Sequence, residues 1–199
     1  MMTYALNIIL VKVSENAVTA YGLYYKIQQF VLFAAFGLRD AITPVVSFNH
    51  GMRSKKRVKE GIKYGMIYTI IIMTAGLLII EIFAEPFAKI FGLSGQTQSM
   101  CISAMRVISL SFIFAGINVA LQGVFQALDS GFESLIISIL RQFLLVVPVA
   151  YGFALIAVKN IEYIWLVWST FPIAEVVSSI VAILFMKKIN AKKINTLEV

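Results

Sequence analysis

Five long apolar runs, separated by short polar joints, leave this chain few ways to fold. A hydrocarbon layer about 30 Å thick is crossed by roughly 20 helical residues, each rising about 1.5 Å. Runs 27–48, 64–83, 102–128, 135–157 and 163–186 all reach that length. A sixth stretch, 3–13, is about half a span. It reads as the second half of a helix that ends at Lys12, Ser14, Glu15 and Asn16. Backbone polar groups in lipid must bond internally, so an all-α integral membrane protein, a polytopic helical bundle, is expected.

Composition points the same way. The chain is 60% hydrophobic and 14% charged, with a mean hydropathy of +0.88, whereas soluble domains average about 45–50% apolar and about 25% charged residues. Residues 1–13 carry no basic leader and no small-residue cleavage site, so the spans themselves are expected to signal insertion. Cys101, the one cysteine, excludes an intrachain disulfide and reads as a small apolar side chain. The one histidine, His50, falls at a span end. No phosphate-binding loop, metal-ligand cluster or Ser/His/Asp set can be built, which argues against an enzyme or an ATP-driven pump. No cofactor or bound metal is expected, and transport driven by an ion gradient remains.

A net charge of +7 raises the question of a nucleic-acid partner, and the positions of the 17 basic residues answer it. Arg53, Lys55, Lys56, Arg57, Lys59 and Lys63 fill one joint, and Lys187, Lys188, Lys192 and Lys193 open the C-terminal tail. Four spans separate these clusters, so both fall on one side of the bilayer. Lysine and arginine accumulate in cytoplasmic loops, which assigns that side to the cytoplasm and the chain to the plasma membrane with a cytoplasmic C-terminus. The bilayer, with its anionic headgroups, is then the partner of the basic clusters, and no nucleic acid is expected. Residues 1–186 read as a transmembrane lobe and 187–199 as a basic cytoplasmic tail. Within the joints, Ser130 and Glu133 have capping-box spacing for the next helix. Segment 85–98, with Pro86 and the Gly92 to Gly95 turn, reads as a short interfacial helix followed by an outer loop.

Ionisable groups inside spans cost several kcal/mol, about 2.5–3.5 on insertion scales, so each needs a partner or a task. Glu175 lies midway along its run, three residues after Pro172. It reads either as a cation or proton site beside a helix break or as a protonated acid bonded to a neighbouring helix. Asp40, near Pro44, reads either as an ion-coupling acid or as the partner of an arginine from another span. Arg39 and Asp40 point about 100° apart on a helix, so mutual cancellation is not expected. Arg106 can snorkel to the outer interface, and Arg141 can snorkel or pair with Asp129 or Glu133. Asn118, Gln122 and Gln126 recur every fourth residue, with Ser111 seven before Asn118. That polar stripe serves either as helix-to-helix adhesive or as the wall of a water-filled path.

The segment carrying Gly37, Arg39, Asp40, Pro44, Asn49 and Gly51, followed by the basic residues from Arg53, resembles the eighth-helix signature of multidrug and toxic compound extrusion (MATE) transporters. Three further stretches follow in order. They run from Gln122 to Asp129, from Arg141 to Pro148, and through Phe171, Pro172 and Glu175. The last two are similar to the branch of the family typified by MepA-type bacterial exporters. The resemblance implies a 12-helix transporter of two six-helix lobes, of which this chain is the second, with its first helix truncated. It implies secondary active efflux of organic cations or drugs by antiport with Na⁺ or H⁺, and a missing N-terminal lobe as partner. Glu175 matches the branch pattern, whereas Asp40 stands where relatives of this type usually carry an uncharged amide. Two other readings stay open. One is a transport-inactive membrane fragment, and the other is a lipid-linked oligosaccharide flippase of the same superfamily, whose pyrophosphate would need Arg39, Arg106 and Arg141.

Overall fold

A computed structural model describes residues 2–197. Its helices in chain order are α1 (Met2–Val11), α2 (Glu15–Gly51), α3 (Lys55–Ile90), α4 (Gly95–Ser109), α5 (Phe112–Ala127), α6 (Gly131–Ile139), α7 (Val146–Ala157) and α8 (Ile164–Ile189). Among the described residues there is no strand. Helices α2 and α3, the α6–α7 unit and α8 are each long and apolar enough to cross a membrane, and α4 with α5, bent by 50° at their junction, reach that length only together. The chain is therefore a multi-pass, all-helical membrane protein. Short α1 packs on α2 and α7.

The helices outrun the apolar stretches. Helix α2 has 37 residues and α3 has 36, enough for roughly 55 Å each, so their polar ends extend past a 30 Å core. Ser14 starts α2 by accepting the Ala17 N–H at 3.1 Å, which satisfies one of the unpaired end amides. The reversal between α2 and α3 places Arg53 at φ 55°. Segment 85–98 differs from the reading above, because α3 continues through Glu85 and Pro86 to Ile90 and α4 begins at Gly95. Gly92, at φ 70°, makes that turn, and the N–H of Leu93 reaches back to the Ala88 carbonyl at 3.2 Å. The Ser130–Glu133 capping box does not form either. The Ser130 hydroxyl donates to the Leu128 carbonyl at 3.3 Å and caps no end amide.

Two interruptions shape the bundle. The bend between α4 and α5 carries serines on both sides, and the hydroxyls of Ser109 and Ser111 donate to the carbonyls of Arg106 and Ile108 at 3.0 and 2.6 Å. Such bonds compete with the backbone ladder and bend helices. The second interruption is a π-helical segment, Leu140–Leu144, between α6 and α7. Pro148 has no N–H for the Leu144 carbonyl, and its ring crowds that carbonyl. The strain is met by widening the preceding turn, where the Leu145 N–H bonds to the Leu140 carbonyl five residues back at 3.0 Å.

Two apolar cores fill the bundle. One gathers Leu6, Tyr21, Tyr24, Phe112 and Trp168, and the other gathers Val46, Phe125, Leu128, Ile137 and Ile189. Tyr21 stacks on Trp168 with ring centroids 6.3 Å apart, locking α2 to α8. On four spans the boundary between the cores falls at a polar residue. Arg39 lies between Ala35 and Ile42, Arg141 between Ile137 and Val146, and Glu175 between Ala174 and Ala182, while Asn118 and Gln122 bracket Val119 and Ala120. The packing thus collects a polar layer between the two apolar cores. The basic ends of α3 and α8 meet, with the Lys55 ammonium donating to the Asn195 carbonyl at 3.1 Å. A π-helical segment, Asn190–Ile194, extends α8, buries Ile194 and lets Lys193 donate to the Leu128 and Asp129 carbonyls at 2.6 and 2.9 Å. The tail thus docks on the bundle through residue 194.

Candidate functional site

The polar layer is organised around Glu175. Arg141 donates to its Oε1 from Nη2 at 2.5 Å and from Nε at 3.0 Å. Asn118 donates from Nδ2 to its Oε2 at 2.7 Å and to its backbone carbonyl at 3.0 Å. The Arg141 and Glu175 side chains are 12% and 13% exposed, so the pair is largely withdrawn from the surface. Each partner sits where the local fold puts it. The π segment of the fourth span turns Arg141 inward, and α8 runs unbroken past Pro172 to present Glu175. Among the described residues two amide atoms beside the pair, Asn118 Oδ1 and Gln122 Nε2, are buried without a hydrogen-bond partner.

Arg141 and Glu175 open onto a cavity of about 430 Å³ bounded by α2, α5, the α6–α7 span and α8. Helix α2 contributes a stripe at helical spacing, Tyr25, Gln28, Leu32, Phe36 and Arg39, joined by Gln29. Facing it are Gln122 and Gln126 of α5, Ser138 of α6 and Gln142 of the π segment. Ser138 donates to Gln122 Oε1 at 3.0 Å, and Gln126 donates to Ser134 at 3.1 Å. The α5 amides therefore hold two helices together and line the cavity at once. Arg141 and Asn118 thus occupy both carboxylate oxygens of Glu175 at the cavity wall.

The expected site residues separate into two groups. Glu175, Arg39, Gln122 and Gln126 reach the cavity, and Asn118 lies directly behind it, wholly buried. Ser111 does not join them, because the bend between α4 and α5 turns it aside and its hydroxyl bonds to its own helix. Asp40 is 66% exposed and off the cavity. Its partner is Arg39, at 2.8 Å, rather than an arginine from another span. The 100° separation describes where two Cβ atoms point, and the long arginine stem bends back across it. The Arg39 guanidinium also lies 5.3 Å from the Phe36 ring centroid. Arg141 pairs with neither Asp129 nor Glu133. The expectations missed Gln28, Gln29, Ser138 and Gln142. The spacing from Tyr25 through Gln28 and Leu32 to Phe36 and Arg39 was the available signal.

Bent and interrupted membrane spans thus enclose a polar cavity within a helical membrane bundle. Residues 1–152 match the family model MatE, and the chain belongs to that family. It is similar to the multidrug export protein MepA of Staphylococcus saprophyticus, 26% identical over 182 residues that span 91% of this chain and 39% of that protein. It is also similar to an FAD transporter of Shewanella oneidensis, 22% identical over 141 residues that span 71% of this chain and 31% of that one. A solved structure described as the outward-facing conformation of a multidrug resistance MATE family transporter of the MOP superfamily superposes with a TM-score of 0.85 at 24% identity. It is matched over 96% of this chain and 42% of its own. An MOP superfamily transporter from Pyrococcus furiosus gives 0.82 at 25% identity, again over 96% and 42%. The chain thus spans between about a third and two fifths of the length of these relatives.

Proposed function

We propose that the chain is one lobe of a secondary active exporter of the plasma membrane, its basic end and C-terminus cytoplasmic, which expels small organic cations in exchange for Na⁺ or H⁺. One observation carries the proposal, namely a buried carboxylate, Glu175, on a cavity wall and already holding one tethered cation. A second lobe would supply the facing wall. Arg141 keeps Glu175 neutralised. An incoming coupling ion and an incoming cationic substrate each compete with that guanidinium for the Glu175 carboxylate. One negative charge in a low-dielectric site does not hold two further cations at once, so occupation by one expels the other, and exchange follows. Asp40, paired with Arg39 away from the cavity, takes no part in the exchange. The name of the Staphylococcus relative supports drug export as the activity.

The test is ethidium efflux from drug-sensitive bacteria expressing the chain with a complementary first lobe of a MepA-type relative, in media with and without Na⁺ and over a range of pH. Efflux is expected, and Glu175→Gln should reduce it by about tenfold or more, the loss of one charged contact in a buried site. Wild-type efflux from that variant would remove Glu175 from the mechanism.

A second reading is favoured by the two arginines, Arg39 and Arg141, that line the same cavity. An anionic solute, such as a dinucleotide or a lipid-linked pyrophosphate, would find two donors there, and one relative is named as an FAD transporter. Arg106, exposed on α4, is not among the cavity residues. Export of FAD without export of ethidium would establish this alternative.

A further inference from the structure

On the outside of the bundle, away from the transport cavity, α3, α5 and α8 leave a groove of about 600 Å³. Its walls are apolar, formed by Met66 and Ile67 of α3, Ile117 and Leu121 of α5, and Ile183 and Met186 of α8. At its polar end stand two exposed lysines, Lys63 and Lys187, together with Asn190, and no acidic residue is among the described residues that line it. Lys63 belongs to the basic joint and Lys187 to the basic tail, the two clusters that the bundle brings to one end.

From this geometry we infer that the groove is a binding site for one anionic glycerophospholipid, its phosphate between Lys63 and Lys187 and an acyl chain along the α5 and α8 walls. The shape calls for an apolar body with a charged end, and a groove between spanning helices is reached from the hydrocarbon rather than from water. Charge selects the headgroup. Two ammonium groups at the end of an apolar groove attract a net negative lipid, whereas a zwitterionic headgroup brings an ammonium of its own. Occupancy would also bear on the transport site, because Ile117 and Leu121 adjoin Asn118 and Gln122 on α5, and Ile183 lies about two turns from Glu175 on α8.

The purified chain, titrated in detergent with phosphatidylglycerol or phosphatidylcholine and weighed by native mass spectrometry, tests this. A lysine near the membrane surface adds about 1 kcal/mol for anionic lipid, about fivefold, so the pair should favour phosphatidylglycerol by about 25-fold. The double variant Lys63→Gln/Lys187→Gln should lose that preference, and Lys56→Gln/Lys59→Gln, an equal charge change elsewhere on α3, should keep it. Equal retention of both lipids, or equal loss in the two double variants, overturns the site. Should the groove variant fail to show native helical circular dichroism, Ile183→Trp with both lysines intact replaces it. Selective quenching by brominated phosphatidylglycerol supports the site, and equal quenching by brominated phosphatidylcholine overturns it.

Discussion

Arg141 and Glu175, 34 residues apart in sequence, share one carboxylate oxygen at 2.5 and 3.0 Å, on spans that otherwise meet through apolar side chains. Breaking a buried pair by removing one partner strands the other, at a cost of about 3–5 kcal/mol, while replacing both with apolar groups can be neutral. Arg141→Met and Glu175→Met should each lower the melting temperature in detergent, and the double variant should recover most of the loss. Additive losses would show that the two residues are not coupled.

The π segment is attributed to Pro148. Pro148→Ala restores an N–H for the Leu144 carbonyl and removes the ring clash, so Leu140–Leu144 should relax toward an ordinary α-helix and turn Arg141 away from Glu175. The measurement is a structure of the variant together with its melting temperature. A π turn that survives the substitution would place its cause elsewhere.

Gly123 is where α5 meets α2. A Cβ there would lie 2.6 Å from Arg39 Cγ, 2.8 Å from Thr43 Oγ1 and 3.3 Å from the Arg39 carbonyl oxygen. Backbone cannot yield as a side-chain end does, so Gly123→Ala should cost about 1–3 kcal/mol. Gly152 has no such neighbour within 4 Å, and there alanine should stabilise the helix by up to about 1 kcal/mol. Thermal denaturation of the two variants side by side decides the matter, and equal shifts would refute the contact.

Lys193 ties the tail to the end of α5 through the carbonyls of Leu128 and Asp129. A basic side chain on the last carbonyls of a helix stabilises that end. Lys193→Met should therefore speed amide exchange over residues 126–134, with a stability loss of about 1 kcal/mol. Unchanged exchange there would make the contact incidental.

Much of the fold was legible along the chain because lipid imposes simple demands. A span must be long, apolar and internally bonded, so five runs could be counted, and an even number of crossings between two lysine clusters placed them at one end. The helix ends were less legible. Residues 15–26 and 55–63 are too polar for hydrocarbon yet remain helical, since a helix that has left the lipid core still keeps its ladder. The site was legible in its ingredients and obscure in its pairings. Glu175, Gln122 and Gln126 stood out as polar groups at membrane depth. For Arg141 the sequence offers snorkelling or acids near it in sequence, and for Arg39 and Asp40 it offers no mutual cancellation, whereas the structure pairs Arg141 with Glu175 and Arg39 with Asp40.

By itself the sequence determined that this protein resides in a bilayer, which runs are long enough to cross it, and that its basic ends coincide, because those properties follow from hydrophobic length and charge position alone. Only the tertiary structure decided which polar residues meet. A charge withdrawn from water must find a partner on whichever helix packs beside it, and that neighbour is set by the bend at Ser111, the π segment before Pro148 and the close approach at Gly123.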